Sequence, residues 1–217
     1  FDSLAIGQVA DYEGAIKPLA DHRFREEADQ EQVHLALSFP GVARHDGRRF
    51  AHKLLNVILG ENMSSRLFQE LREQRGLCYE VQSDFVSFAD TGLIQIYVAL
   101  NPSHLQSALE TIDKIARDLV TNGVNKEELE AAKAFIIGQS HISLENTSSQ
   151  MMWAGECLLF FDDWRDPDLA HCAIEETTAE QVHQAAREIF AERRFASALI
   201  GPAESNTIFE KWSSAAV

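Results

Sequence analysis

The residues best placed to hold a ligand stand in one stretch, SSRLFQELREQRGLCYEV, at positions 64–81. It begins with the apolar spacing of an amphipathic helix and ends with that of a strand. Arg72 and Tyr79 lie seven residues apart with Gly76 between them. Glycine adopts the left-handed conformation that ends a helix and turns the chain. Arg72 then falls about one turn before the reversal and Tyr79 three residues after it, so the two side chains can converge on one point. Arginine offers a planar fork of donors to a carboxylate or peptide carbonyl, and tyrosine offers a hydroxyl that is neutral near pH 7. Together they could hold a peptide backbone. Spacing alone favours structural roles. An arginine in a last turn complements the helix dipole, and a tyrosine opening a strand packs in a core.

Other chemistry is hard to find. The eight histidines are His22, His34, His45, His52, His104, His141, His171 and His183. None is paired at the i, i+4 spacing that places two ligands on one helix face. His45 and His52 could share a helix face two turns apart. Cys157, His171, Cys172 and His183 have metal-ligand types but no recognised spacing, and ordinary core thiols and surface imidazoles explain them as well. A G-x-S-x-G elbow and a glycine-rich phosphate loop are both missing. By residue inventory this chain carries no catalytic centre and no metal site of its own.

Patterning supplies the elements around the pair. Residues 1–30 are polar and weakly periodic, with Gly7, Gly14 and Pro18, and read as a linker or peripheral arm. Residues 31–217 read as one domain. Val33, Leu35, Leu37 and Phe39 alternate as in a strand with one buried face. Between Asp46 and Leu59 the period changes to helical, with Phe50, Leu54, Val57 and Ile58 on one face and Gly60 as the stop. Ser64 or Ser65 caps a second helix whose buried stripe is Leu67, Phe68 and Leu71. Tyr79, Val81 and Phe85 then alternate on one face of a strand. The turn ADTG leads into Ile94, Ile96, Val98 and Leu100, and the two strands form a hairpin. Helices dominate the remainder. Asn125 with Glu128, and Thr178 with Gln181, form capping boxes. A last strand covers 195–201. The order predicts an α+β fold, a two-layer arrangement with helices packed on one face of a sheet.

Composition excludes several partners. Of 217 residues, 34 are acidic and 19 basic, for a net charge of −15. A nucleic-acid partner requires a basic surface, whereas an acidic one attracts cationic peptides or simply confers solubility. No apolar run reaches the roughly 18 residues of a membrane span. The three cysteines form no disulfide framework. The chain opens on Phe1 and shows no basic-then-apolar leader, so a fragment or processed product is expected. A soluble protein of the cytoplasm or periplasm is expected.

The run LLNVILGENMSSRLFQELREQRGLCYEV resembles the insulinase, pitrilysin and mitochondrial processing peptidase family of zinc metallopeptidases, specifically its non-catalytic C-terminal half-domain. The family pattern is leucine-glycine, a short glycine-rich turn, serine-arginine-leucine-phenylalanine, then an arginine and a tyrosine separated by seven. Here these are Leu59-Gly60, Ser65-Arg66-Leu67-Phe68, Arg72 and Tyr79. The similarity runs over roughly residues 30–201. It departs at GENMSS, where Glu61 and Asn62 replace the more usual glycines.

The resemblance implies that two homologous halves close like a clamshell around an unfolded peptide. One half carries H-x-x-E-H and a distant glutamate, which bind Zn2+. The other contributes Arg72 and Tyr79 as substrate-binding residues. This chain, lacking H-x-x-E-H, is then expected to be inactive alone and to work with a zinc-bearing N-terminal half or partner subunit on a peptide substrate. A homodimer is a further possibility. The alternatives are a catalytically dead partner subunit, a structural or assembly domain of the same fold, and an unrelated ligand-binding α+β domain.

Overall fold

The computed structural model describes residues 23–192 and 194–214. Its frame is a five-stranded sheet in the order β1-β5-β2-β4-β3. These strands are β1 (Arg23–Glu27), β2 (Val33–Gly41), β3 (Cys78–Ser87), β4 (Gly92–Leu100) and β5 (Ala196–Gly201). β1 runs parallel to β5, and every other pairing is antiparallel. In the central strands alternate residues are buried: Val33, Leu35, Leu37 and Phe39 on β2, and Ile94, Ile96, Val98 and Leu100 on β4. The intervening Ala36, Ser38, Gln95 and Tyr97 stay partly exposed. A period of two thus gives the sheet one dry face and one open face.

Helices cover the dry face. The chain supplies α1 (Arg49–Asn56), α2 (Leu105–Asn122), α3 (Lys126–Leu144), α4 (Thr147–Phe161), α5 (Pro167–Glu176), α6 (Ala179–Phe190) and α7 (Ala203–Ser214). Leu54, Leu55, Leu105, Leu109, Ile112, Val182, Ile189 and Phe209 join the strand residues in one core. The α+β, two-layer arrangement expected from the sequence is the one observed. Both capping boxes form as well. Asn125 and Glu128 bond reciprocally at the start of α3, and Thr178 and Gln181 do so at α6. No helix among the described residues is long and apolar enough to cross a membrane.

Three details differ from the sequence expectation. Within the stretch read as an arm, Arg23–Glu27 form an edge strand on β5, while residues 1–22 lie outside the described part. Neither Ser64 nor Ser65 caps the second helix through its hydroxyl. Asn62 does the work instead: its side chain accepts from the Ser64 N–H at 2.9 Å, and its carbonyl accepts from the Ser65 hydroxyl at 2.6 Å. α7 was not foreseen, and it closes the core with fully buried Phe209 and with Trp212 tilted against Phe195.

The second helix is tied to the rest by Arg66. Its guanidinium donates to Glu128 (2.7 and 2.8 Å), to Asp118 (2.7 Å) and to the Gly123 carbonyl (3.0 Å). One side chain thereby joins the second helix to the end of α2 and the start of α3. Burial alone would raise the Glu128 pKa, but the Arg66 hydrogen bonds, the Asn125 N–H and the Arg66 charge outweigh it, and the net shift is downward. A carboxyl with a depressed folded pKa stabilises the fold fully above its unfolded value of about 4.3 and loses that contribution as pH falls through the folded value. Arg66→Ala is therefore expected to cost about 1–3 kcal/mol at pH 7, because it strands partly buried Glu128 and leaves exposed Asp118 unpaired. In denaturant melts across pH, the gap between wild type and variant should hold above pH ~5 and shrink below pH ~4. A gap that widens in acid would refute the assignment.

Candidate functional site

The helix-to-strand reversal is built from both sides. Leu67 and Leu71 are fully buried and fix the rotation of the helix. The segment Phe68–Gln74 is wound in the wide π form, a form frequent at functional sites. Gly76 stops it at φ +59°. Its N–H donates to the Arg72 carbonyl at 3.2 Å, and the Leu77 N–H donates to the Leu71 carbonyl at 2.8 Å. This closure is one residue wider than the usual glycine stop. Across it, His104 Nδ1 lies 3.1 Å from the Leu77 carbonyl and holds the exit of the turn against the entry to α2.

The first residues of β3 break the sheet's alternation. Cys78 stands opposite Leu100 and Glu80 opposite Ala99, so Tyr79 is an extra residue in a β-bulge. A bulge leaves one residue unpaired and re-aims its side chain. Val81 is buried and Phe85 half-buried, but Tyr79 is 63% exposed. The expectation that Tyr79 shares a face with Val81 and Phe85 is thus corrected, as is a core role for this tyrosine. Arg72 is exposed too, its guanidinium 4.9 Å from the centre of the Phe68 ring. Among the described residues neither the Arg72 guanidinium nor the Tyr79 hydroxyl has a hydrogen-bond or ion-pair partner. Cys78 immediately precedes Tyr79 and feels the Arg72 charge. Burial pushes its thiol up to about 11 against the opposing pull of the Arg72 charge, so the thiol stays protonated near neutral pH.

The open face holds a feature that the sequence reading missed. His34 Nδ1 and the Tyr97 hydroxyl are 2.8 Å apart, with their rings stacked at 6.2 Å. Burial, then the nearby Glu80 charge, raises the Tyr97 pKa. His34 and Glu80 both oppose Ala99 and so flank the row beside the bulge. The alternation of β2 and β4 places these side chains on the open face, but the 63-residue separation of His34 and Tyr97 hides their meeting.

The weaker metal candidates do not converge on one point. His171 contacts Ser140 and Asp168, at 2.9 and 3.4 Å. His183 contacts the Val120 carbonyl at 2.8 Å, Cys157 is buried, and Cys172 is exposed on α5. His45 precedes α1 and packs edge-on against Phe161, so it shares no helix face with His52. His52 is buried with neither ring nitrogen hydrogen-bonded, Glu188 lying 3.8 Å away, and its pKa is lowered chiefly by burial. Among the described residues, no group of three or more His, Cys, Asp or Glu is arranged to hold a metal ion.

Residues 2–136 match the family described as the peptidase M16 inactive domain. The chain belongs to this family. It is 38% identical over 176 residues to an uncharacterized zinc protease of Streptomyces coelicolor, covering 79% of this chain and 37% of the relative. It is 36% identical over 174 residues to one of Bacillus subtilis, covering 80% and 42%. The chain thus spans about two fifths of the length of these curated relatives. Among solved structures, a peptidase M16 inactive domain from Pseudomonas fluorescens superposes with TM-score 0.77 at 25% identity, over 90% of this chain and 47% of that one. A protease from Helicobacter pylori superposes with TM-score 0.79 at 19% identity, over 92% and 48%, and shares the fold.

Among the described residues His141 and His171 pack ring to ring at 4.8 Å, but no third ligand completes a zinc site there or elsewhere. Metal analysis of the untagged chain should find far less than one zinc per molecule. One tightly held zinc per chain would contradict the half-domain assignment.

Proposed function

We propose that this chain is the substrate-side jaw of a zinc metalloendopeptidase and closes over a peptide together with a half that bears H-x-x-E-H. The observation that carries the reading is the bulge at Tyr79. It turns the Tyr79 hydroxyl out of the sheet, unpartnered, at one end of the reversal whose other end carries Arg72, also exposed and without a polar partner among the described residues. Polar groups spared from internal bonding on a rigid turn are free to bind a ligand without first breaking a bond of their own.

The roles follow from the chemistry of each group. Arg72 presents its fork of N–H donors to a peptide carbonyl and fixes where the chain lies. Charge develops on the carbonyl oxygen when a peptide bond is attacked. A neutral hydroxyl aimed there from Tyr79 stabilises the transition state more than the ground state. Zinc, held on the other half, supplies the hydrolytic chemistry that this chain lacks. The family and the length of the relatives support a partner half of comparable size.

In the assembled two-half protein, Tyr79→Phe should lower kcat by about 10²–10³, the usual loss for one oxyanion donor. Arg72→Ala should raise KM and lower kcat together. Because both side chains are exposed, each variant should melt within ~0.5 kcal/mol of wild type. Wild-type kinetics for Tyr79→Phe would defeat the proposal. So would an Arg72→Ala variant that loses stability while its kinetics stay intact.

A further inference from the structure

Helix α4 has two apolar faces. Trp153, Cys157, Phe160 and Phe161 recur at helical spacing on its more covered side, Cys157 buried and the other three half-buried. The Trp153 indole donates to the Arg165 carbonyl at 2.8 Å, and the Phe160 and Phe161 rings lie under Arg44 and Arg165. Met151, Met152, Leu158 and Leu159 recur at the same spacing on the other side and are 65%, 58%, 58% and 75% exposed. Ile142 near the end of α3 and Leu169 at the start of α5 are 67% and 64% exposed. A helix apolar all round belongs in an interior. The four side chains on α4 alone present on the order of 500 Å², as much as the largest patch that a monomer ordinarily leaves. That is more than half of the ~800 Å² that one partner brings to a stable interface.

Gly155 lies in the middle of the exposed face. Beyond its own helix, nothing stands within 4 Å of where a Cβ would be. Glycine inside a helix weakens it relative to alanine, and no contact within the described residues calls for one here. A second backbone passing close over α4 would call for one.

We infer that the outer face of α4, centred on Gly155 and flanked by Met151, Met152, Leu158 and Leu159, docks onto the remaining, zinc-bearing half of the longer protein. The inference rests on the half-domain reading above. Two observations select this occupant. The matched regions cover only 37% and 42% of the curated relatives, so a body of size comparable to this chain is available to cover the helix. The chain around the face carries more acid than base, with exposed Glu145, Asp162, Asp163, Asp166 and Asp168 against exposed Arg165, and with Glu156 paired to Arg44. A second copy, itself at −15, would bring the same acidic excess against this one, which like-charge repulsion opposes. The covering surface is therefore apolar at its centre and basic at its rim.

The test mixes this chain with the separately produced zinc-bearing half of the same parent protein and measures Kd at low and high salt. The paired substitution Leu158→Glu/Leu159→Glu should weaken binding at least tenfold, and binding by the wild type should weaken as salt rises. In the wild-type mixture, hydrogen exchange should slow along α4. Wild-type affinity in the paired variant, or α4 amides that exchange as before, overturns the inference. If the paired variant loses helical content, the wild-type exchange pattern decides alone. Sedimentation of this chain by itself covers the other occupant: a dimer dispersed by the same substitutions assigns the face to a second copy and overturns the proposal. Failure of the wild-type halves to bind at all removes the half-domain reading and this inference with it.

Discussion

The structure depends on one constraint, that strict alternation along a strand buries a single face. Val33, Leu35, Leu37 and Phe39 on β2 meet Ile94, Ile96, Val98 and Leu100 on β4 in register, and all are at most 7% exposed. A slip of one residue would turn the whole set to solvent, so the register is fixed by hydrophobic burial. With the dry face spent on the helices, the other face is left for polar or partner contacts. Tyr79 lies where that alternation is broken once, at the free edge of the hairpin. Its exposure is therefore a property of the backbone and not of a mobile side chain.

The site inherits its rigidity from this arrangement. Leu67 and Leu71 hold one arm of the reversal in the core, Val81 holds the other, and Gly76 supplies the turn between them. Arg66 ties the same helix to α2 and α3 through Asp118, Gly123 and Glu128. Residues from the serine-arginine-leucine-phenylalanine run thus serve the scaffold, while Arg72 and Tyr79 face outward. Within a single motif, some residues serve the scaffold and others are left to face solvent. Its polar residues either anchor the turn or stand free beside it.

Much of this was legible in the sequence, for physical reasons that can be named. Central strands, the hairpin and both capping boxes announce themselves through local rules of period and pairing. The Gly76 stop did so through conformational freedom at one residue. Other elements lack a local signal. Arg23–Glu27 has no apolar alternation and becomes a strand only because the β5 edge is there to pair with it. In α7, the only fully buried large side chain is Phe209, which is too little for a periodic stripe. The bulge at Tyr79 has no glycine or proline to mark it, and it arises from fitting Cys78 and Glu80 to successive residues of β4. The wide turns at Val57–Glu61 and Phe68–Gln74 are equally unmarked. At GENMSS the replacement of the more usual glycines by Glu61 and Asn62 leaves a well-formed turn, because the Asn62 side chain and carbonyl satisfy Ser64 and Ser65.

The half-domain account makes this chain necessary for cleavage and insufficient for it. The most direct measurement is hydrolysis of an unstructured, fluorescently quenched peptide by this chain, by the zinc-bearing half, and by the two combined. The account predicts that neither half cleaves at an appreciable rate alone and that the mixture does so in a chelator-sensitive way. Chelator-sensitive cleavage by this chain alone, with contaminating proteases excluded, would contradict it. So would a zinc-bearing half that cleaves as fast without this chain as with it.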